Sequence, residues 1–82
     1  KDSETILSDG TFKRTGKVES HGAQVYEKDN KYYYRDTLHT GKKAHLEVFD
    51  RKGNHLGEAD PLTGEIKPHS ADSNKKLSKE YR

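Results

Sequence analysis

The sequence predicts a small, mainly β, single-domain fold: a strongly twisted antiparallel sheet with a loose N-terminal arm and a basic C-terminal tail. Three features point there. Apolar residues alternate along one run, β-prone runs are separated at close intervals by turn residues, and no long amphipathic helix competes with them.

The clearest strand is Ala44 to Asp50, where Ala44, Leu46 and Val48 fall on one face and His45, Glu47 and Phe49 on the other. Ahead of it, Ala23–Glu27 and Tyr32–Asp36 flank a turn containing Asp29-Asn30, which predicts a hairpin. After it, Arg51-Lys52-Gly53-Asn54 turns the chain and His55–Ala59 resumes an extended pattern. Asp60-Pro61-Leu62-Thr63-Gly64 then turns again, and Glu65-Ile66-Lys67 can return as a last short strand. Three or four strands are expected in all.

Residues 1–22 are polar and punctuated by Gly10, Gly16 and Gly22, which reads as a linker or loosely attached arm; residues 23–82 form the domain proper. Pro68 to Arg82 carries Lys75, Lys76, Lys79 and Arg82 among few apolar residues, so a helix there would need docking to persist, and a mobile basic tail is expected.

A chain of 82 residues with 27% hydrophobic and 37% charged content has room for one thin core. The absence of cysteine excludes disulfides and thiolate metal sites. With no apolar run near the roughly 20 residues of a membrane span, insertion into a membrane by this domain is not expected. The net charge of +2 permits contact with nucleic acid without requiring it. There is no Gly-rich phosphate loop ending in Lys-Ser or Lys-Thr, and no Gly-x-Ser-x-Gly elbow, which argues against nucleotide hydrolysis and serine chemistry.

Cleaving RNA without a metal takes a base for the 2′-hydroxyl, an acid for the leaving 5′-oxygen and a cation for the phosphorane. His45 and Glu47, two apart on the best strand, share a face and offer a matched acid and base. Asp36 at the end of the preceding strand, and His39 in the connecting loop, can reach the same face, with Lys42 and Lys43 adding positive charge. The alternative is that His45 and Glu47 are ordinary residues on a solvated face, and that the Lys and Arg clusters are surface charge. His39, His45, Asn54, His55 and His69 loosely resemble the ligands of metal-dependent nucleases, but no tight ligand spacing supports a metal site.

The stretch Lys31-Tyr-Tyr-Tyr-Arg-Asp36-Thr-Leu-His39, with His45-Leu-Glu47-Val-Phe, Gly53-Asn-His-Leu-Gly57 and Asp60-Pro-Leu-Thr-Gly64, resembles the cytotoxic ribonuclease domain of the rRNA-cleaving E-group colicins over about residues 31–77. The chain also looks like the C-terminal tips of contact-dependent growth inhibition toxins. This resemblance implies a ribonuclease toxin domain at 23–82 that cuts small-subunit (16S) ribosomal RNA at the decoding site, leaving a 2′,3′-cyclic phosphate and blocking translation. Carried over, the family's Asp falls on Asp36 and its Glu on Glu47. Its late cation, an Arg in the family, falls on Lys75 or Lys76. Its His falls on His39 by spacing from Asp36 or on His45 by the face shared with Glu47, because Thr40–Ala44 stand as an insertion.

The expected site is therefore Asp36, His39, His45, Glu47 and Lys75, with Lys42, Lys43, Arg51, Lys52 and Lys76 contacting RNA and with no cofactor or metal. Expected partners are 16S rRNA in the 30S subunit or the 70S ribosome and an acidic cognate immunity protein, the toxin itself being a monomer. Delivery as part of a larger secreted or cell-surface toxin, and action in the cytoplasm of the target bacterium, belong to the same expectation. The rival readings are a non-catalytic RNA- or ribosome-binding module and a metal-dependent DNase toxin.

Overall fold

The computed structural model describes residues 2–37 and 44–82. Among them, five strands form one antiparallel sheet in sequence order: β1 (Lys13–Val18), β2 (Gln24–Lys28), β3 (Lys31–Arg35), β4 (Leu46–Asp50) and β5 (His55–Ala59). The mainly β, antiparallel expectation holds.

The β2–β3 hairpin turns at Asp29 and Asn30, whose φ values of 51° and 64° match the left-handed pair that a two-residue hairpin loop demands. Asp and Asn tolerate that conformation better than other side chains. β3 and β4 pair from Lys31↔Asp50 through Arg35↔Leu46. One further backbone bond, from Asp36 N–H to the His45 carbonyl at 3.1 Å, carries the pairing past both strand ends.

Alternation along the strands divides the buried side chains into two layers. One face collects Leu7, Phe12, Tyr26, Leu46, Val48 and Ala59; the other collects Val25, Tyr32, Phe49 and Leu77. β4 is buried on both faces, with Leu46, Glu47, Val48 and Phe49 all buried. The alternative of a solvated His45–Glu47 face therefore fails, because β4 is a central, doubly covered strand.

The N-terminal segment is not a loose arm. Leu7 and Phe12 belong to the first layer, Asp2 accepts from the Tyr26 hydroxyl and the Arg35 guanidinium at 3.1 and 3.0 Å, and residues 13–18 are an edge strand. A division at residue 22 falls inside the β1–β2 turn. Sequence reading missed this because β1, Lys-Arg-Thr-Gly-Lys-Val, is almost wholly exposed and carries no hydrophobic alternation.

The C-terminal tail is docked as well. Leu77 is buried in the second layer, its N–H donates to the Gly53 carbonyl at 2.9 Å, and Lys76 bridges to Asn54. Gly53 is required here: its φ is +87°, and a Cβ would stand 2.2 Å from the Leu77 carbonyl oxygen. The expected strand at Glu65–Lys67 is reduced to one bridge, Ala59↔Ile66. No described helix is long and apolar enough to cross a membrane.

Candidate active site

The second face of the sheet is polar at one end, and Glu47 is its hub. In the β3–β4 register Tyr34 lies opposite Glu47, and the added backbone bond sets Asp36 beside His45. On the other side Glu47 pairs with Glu58, and a register shift between Val48 and Phe49 sets His55 opposite Phe49. That shift turns the His55 ring in beneath Glu47.

The Glu47 carboxylate is buried and accepts three charged or polar donors. Oε1 takes His55 Nε2 at 2.6 Å; Oε2 takes His45 Nε2 at 2.9 Å and Lys75 Nζ at 3.1 Å. Burial pushes this carboxyl up, but the hydrogen bonds from His55, His45 and Lys75 outweigh it and hold the group below its ordinary range. Glu47 is therefore ionised at neutral pH. Burial works against the Lys75 ammonium, but Glu47, with Glu58 and Asp36 behind it, holds that group above its ordinary value.

Two imidazoles play different parts. The Asp72 N–H donates to His55 Nδ1 at 2.9 Å, so that nitrogen carries no proton, and the hydrogen-bond network assigns the proton to Nε2, facing Glu47. His55, with a fully buried side chain, is a neutral donor fixed in one tautomer. His45 Nε2 instead sits among carboxylates, 2.9 Å from Glu47, 3.0 Å from Asp36 and 3.5 Å from Glu58, and donates into them.

Part of this cluster borders a cleft of about 370 Å³. Asp36, Glu47, Lys75 and Lys76 line it, with Tyr34 and Phe49 as an aromatic wall whose rings stack at 5.6 Å and 21°. Burial, reinforced by Glu47, Glu19 and Asp36, raises the Tyr34 phenol well above its usual range, so it remains a neutral donor. Glu19 and His21, from the β1–β2 turn, complete another part of the lining.

Of the predicted catalytic residues, Asp36, His45, Glu47 and Lys75 converge. His39, Lys42 and Lys43 lie outside the described residues. Lys76 reaches the cleft while its ammonium donates to Asn54 Oδ1 at 2.6 Å. Arg51 and Lys52 do not line it: Arg51 pairs with Glu27 and lies over the Tyr32 ring at 5.1 Å, and Lys52 is exposed in the β4–β5 turn.

Glu58, Glu19, His21 and Tyr34 are not singled out for the site by the sequence, and His55 enters only in the loose set of possible metal ligands. Of these, His55 and Tyr34 lie within the motifs that carry the resemblance to the colicin ribonucleases. The register shift that aims His55 has a single residue sign in the β5 run, the interior Gly57, and Glu19 and His21 fall in the segment expected to be an arm.

Chemically, the cluster offers an ionised carboxylate and an ammonium that line the cleft, with the positioned imidazole of His45 buried behind them. Ligand atoms of Asp36, His45 and Glu47 lie within 4.8 Å of one another, a spacing that suits a cation. Lys75 Nζ already supplies positive charge at Glu47 Oε2, and its raised proton affinity keeps it there. No known protein family matches the chain, and neither curated proteins nor solved structures yield a match.

Proposed function

We propose that this chain is the ribonuclease domain of a bacterial toxin, cleaving small-subunit ribosomal RNA at the decoding site by metal-independent transesterification. The observation that carries the reading is the Glu47 hub: a buried, ionised carboxylate bonded to two imidazoles and to a lysine that is 41% exposed in a cleft. The motif resemblance to the rRNA-cleaving colicins supplies the substrate class.

Glu47 takes the proton of the 2′-hydroxyl as the 2′-oxygen attacks phosphorus. Three donors make it a weak base in the free protein, and the scissile phosphate relieves that. As Lys75 swings from Glu47 Oε2 to a phosphate oxygen, the carboxylate loses one of the interactions that depress its proton affinity. Asp36 holds the His45 ring, and His55 holds Oε1, so the free edge of the carboxylate keeps its aim. Lys76 adds charge along the phosphate backbone, and the Tyr34–Phe49 wall offers a surface for an unstacked base.

A metal-dependent nuclease is the competing reading, favoured by the Asp36–His45–Glu47 spacing. Incubating ribosomes with the protein in excess chelator separates the two. The transesterification reading expects small-subunit rRNA to be cut near its 3′ end while plasmid DNA stays intact. Intact rRNA under chelation, with cutting restored by a divalent cation, would assign the site to a metal.

A further inference from the structure

The Glu47 side of the cleft provides for the entering oxygen and not for the leaving one. In an in-line displacement the two oxygens stand on opposite sides of phosphorus. The base and the acid therefore need separate walls. His45 is tied to the base's own wall, with Nε2 held by Asp36 and Glu47 at 3.0 and 2.9 Å, and His55 is sealed beneath the same carboxylate.

A third imidazole enters the cleft from a different element. His21 lies in the β1–β2 turn, and strand β3 separates that hairpin from β4 and Glu47. Its ring is 59% exposed, yet it is oriented from behind by Glu19, whose side chain is only 5% exposed. Glu19 Oε1 accepts the backbone N–H groups of His21 and Ala23, each at 2.9 Å, and Oε2 lies 3.3 Å from His21 Nδ1. Ser20 Oγ is 3.5 Å from the same nitrogen. A buried carboxylate that ties down its own turn and grips one ring nitrogen leaves the other, Nε2, to work in the cleft.

We propose that His21 is the general acid that protonates the departing 5′-oxygen, with Glu19 as its positioning residue; this assignment rests on the ribonuclease reading above. The step balances. The 2′-oxygen gives its proton to Glu47 and bonds to phosphorus, the bond from phosphorus to the 5′-oxygen breaks, and His21 Nε2 delivers a proton to that oxygen. The products are a 2′,3′-cyclic phosphate and a 5′-hydroxyl. His21 is left as the neutral ring with its proton on Nδ1, still facing Glu19.

The test compares cleavage of ribosomes carrying ordinary 16S rRNA with ribosomes reconstituted with sulfur in place of the 5′-bridging oxygen at the cut bond. A sulfur leaving group departs without protonation. His21→Ala is expected to slow cleavage of the oxygen substrate by about 10²–10⁴-fold and to cut the sulfur substrate within a few-fold of wild type, whereas Glu47→Gln is slow on both. Glu19→Gln should show a smaller loss with the same sulfur rescue. Equal slowing of His21→Ala on both substrates, or no slowing on oxygen, overturns the assignment, as does full sulfur rescue of His39→Ala in its place. A wild-type protein that cuts neither substrate would instead sink the ribonuclease reading.

Discussion

On one face of the sheet β4 sends Leu46 and Val48 into a layer with Leu7, Phe12, Tyr26 and Ala59; on the other, the same strand sends Glu47 among His45, His55 and Lys75. The first face is mainly apolar and stabilises chiefly by burial, with the Tyr26 hydroxyl bonded to Asp2 at its margin. The second face also buries apolar groups, Val25, Tyr32, Phe49 and Leu77, but it surrounds an ionised carboxylate with them. A chain with so thin a core accepts buried charge only where each polar atom finds a partner, and among the described residues no buried side-chain N or O lacks one. The dry face holds the strand in place; the wet face depends on that fixity for its geometry.

The largest expected effect falls on the wet face. Glu47→Gln keeps the shape and removes the charge, and it should slow RNA cleavage by about 10²–10⁴-fold, read in single-turnover assays. Glu47→Ala is a poorer probe, because it leaves His45, His55 and Lys75 around an empty buried space at a cost of roughly 3–5 kcal/mol. Next comes the dry face: Leu46→Ala should lower unfolding free energy by about 2–5 kcal/mol, seen as a shift of the urea midpoint. Cleavage per folded molecule should persist. If the Leu46 variant lost activity at full foldedness, or the Glu47→Gln protein cut normally, the division between the faces would be wrong.

The division was only partly legible in the sequence. Strand alternation at 44–50 placed His45 and Glu47 on a common face, and the Asp-Asn turn fixed the β2–β3 hairpin. The resemblance to the colicin ribonucleases marked Asp36 and Lys75, which the fold brings to Glu47. Burial of that face was not legible, because it is supplied by Leu77, whose docking against Gly53 is a long-range event among polar neighbours. Nor was β1 legible, since an exposed edge strand lacks the period-two pattern.

Gly53 offers a smaller probe that sharpens the comparison. Gly53→Ala puts a methyl group against the Leu77 carbonyl, so the segment bearing Lys75 and Lys76 must shift. Activity should fall more than stability does, measured by rRNA cutting beside thermal unfolding.

The smallest effect is one of pH. Because the Glu47 carboxyl sits below its ordinary value near 4.5 in the fold, it contributes stability above that value and loses it as the pH falls through the folded value. The Lys75 ammonium, raised above 10.5, contributes below that value and loses stability as the pH climbs through its folded one. Glu47→Gln should flatten both limbs of an unfolding free energy measured against pH.

The central claim, that the Glu47 cluster cuts RNA by transesterification, is tested most directly at the end of the product. Ribosomes treated with wild-type protein in excess chelator should yield a 3′ fragment of small-subunit rRNA with a 5′-hydroxyl, and an upstream fragment ending in a 2′,3′-cyclic phosphate. The Glu47→Gln protein should yield neither. A 5′-phosphate at the cut, or uncut RNA with both proteins, would contradict it.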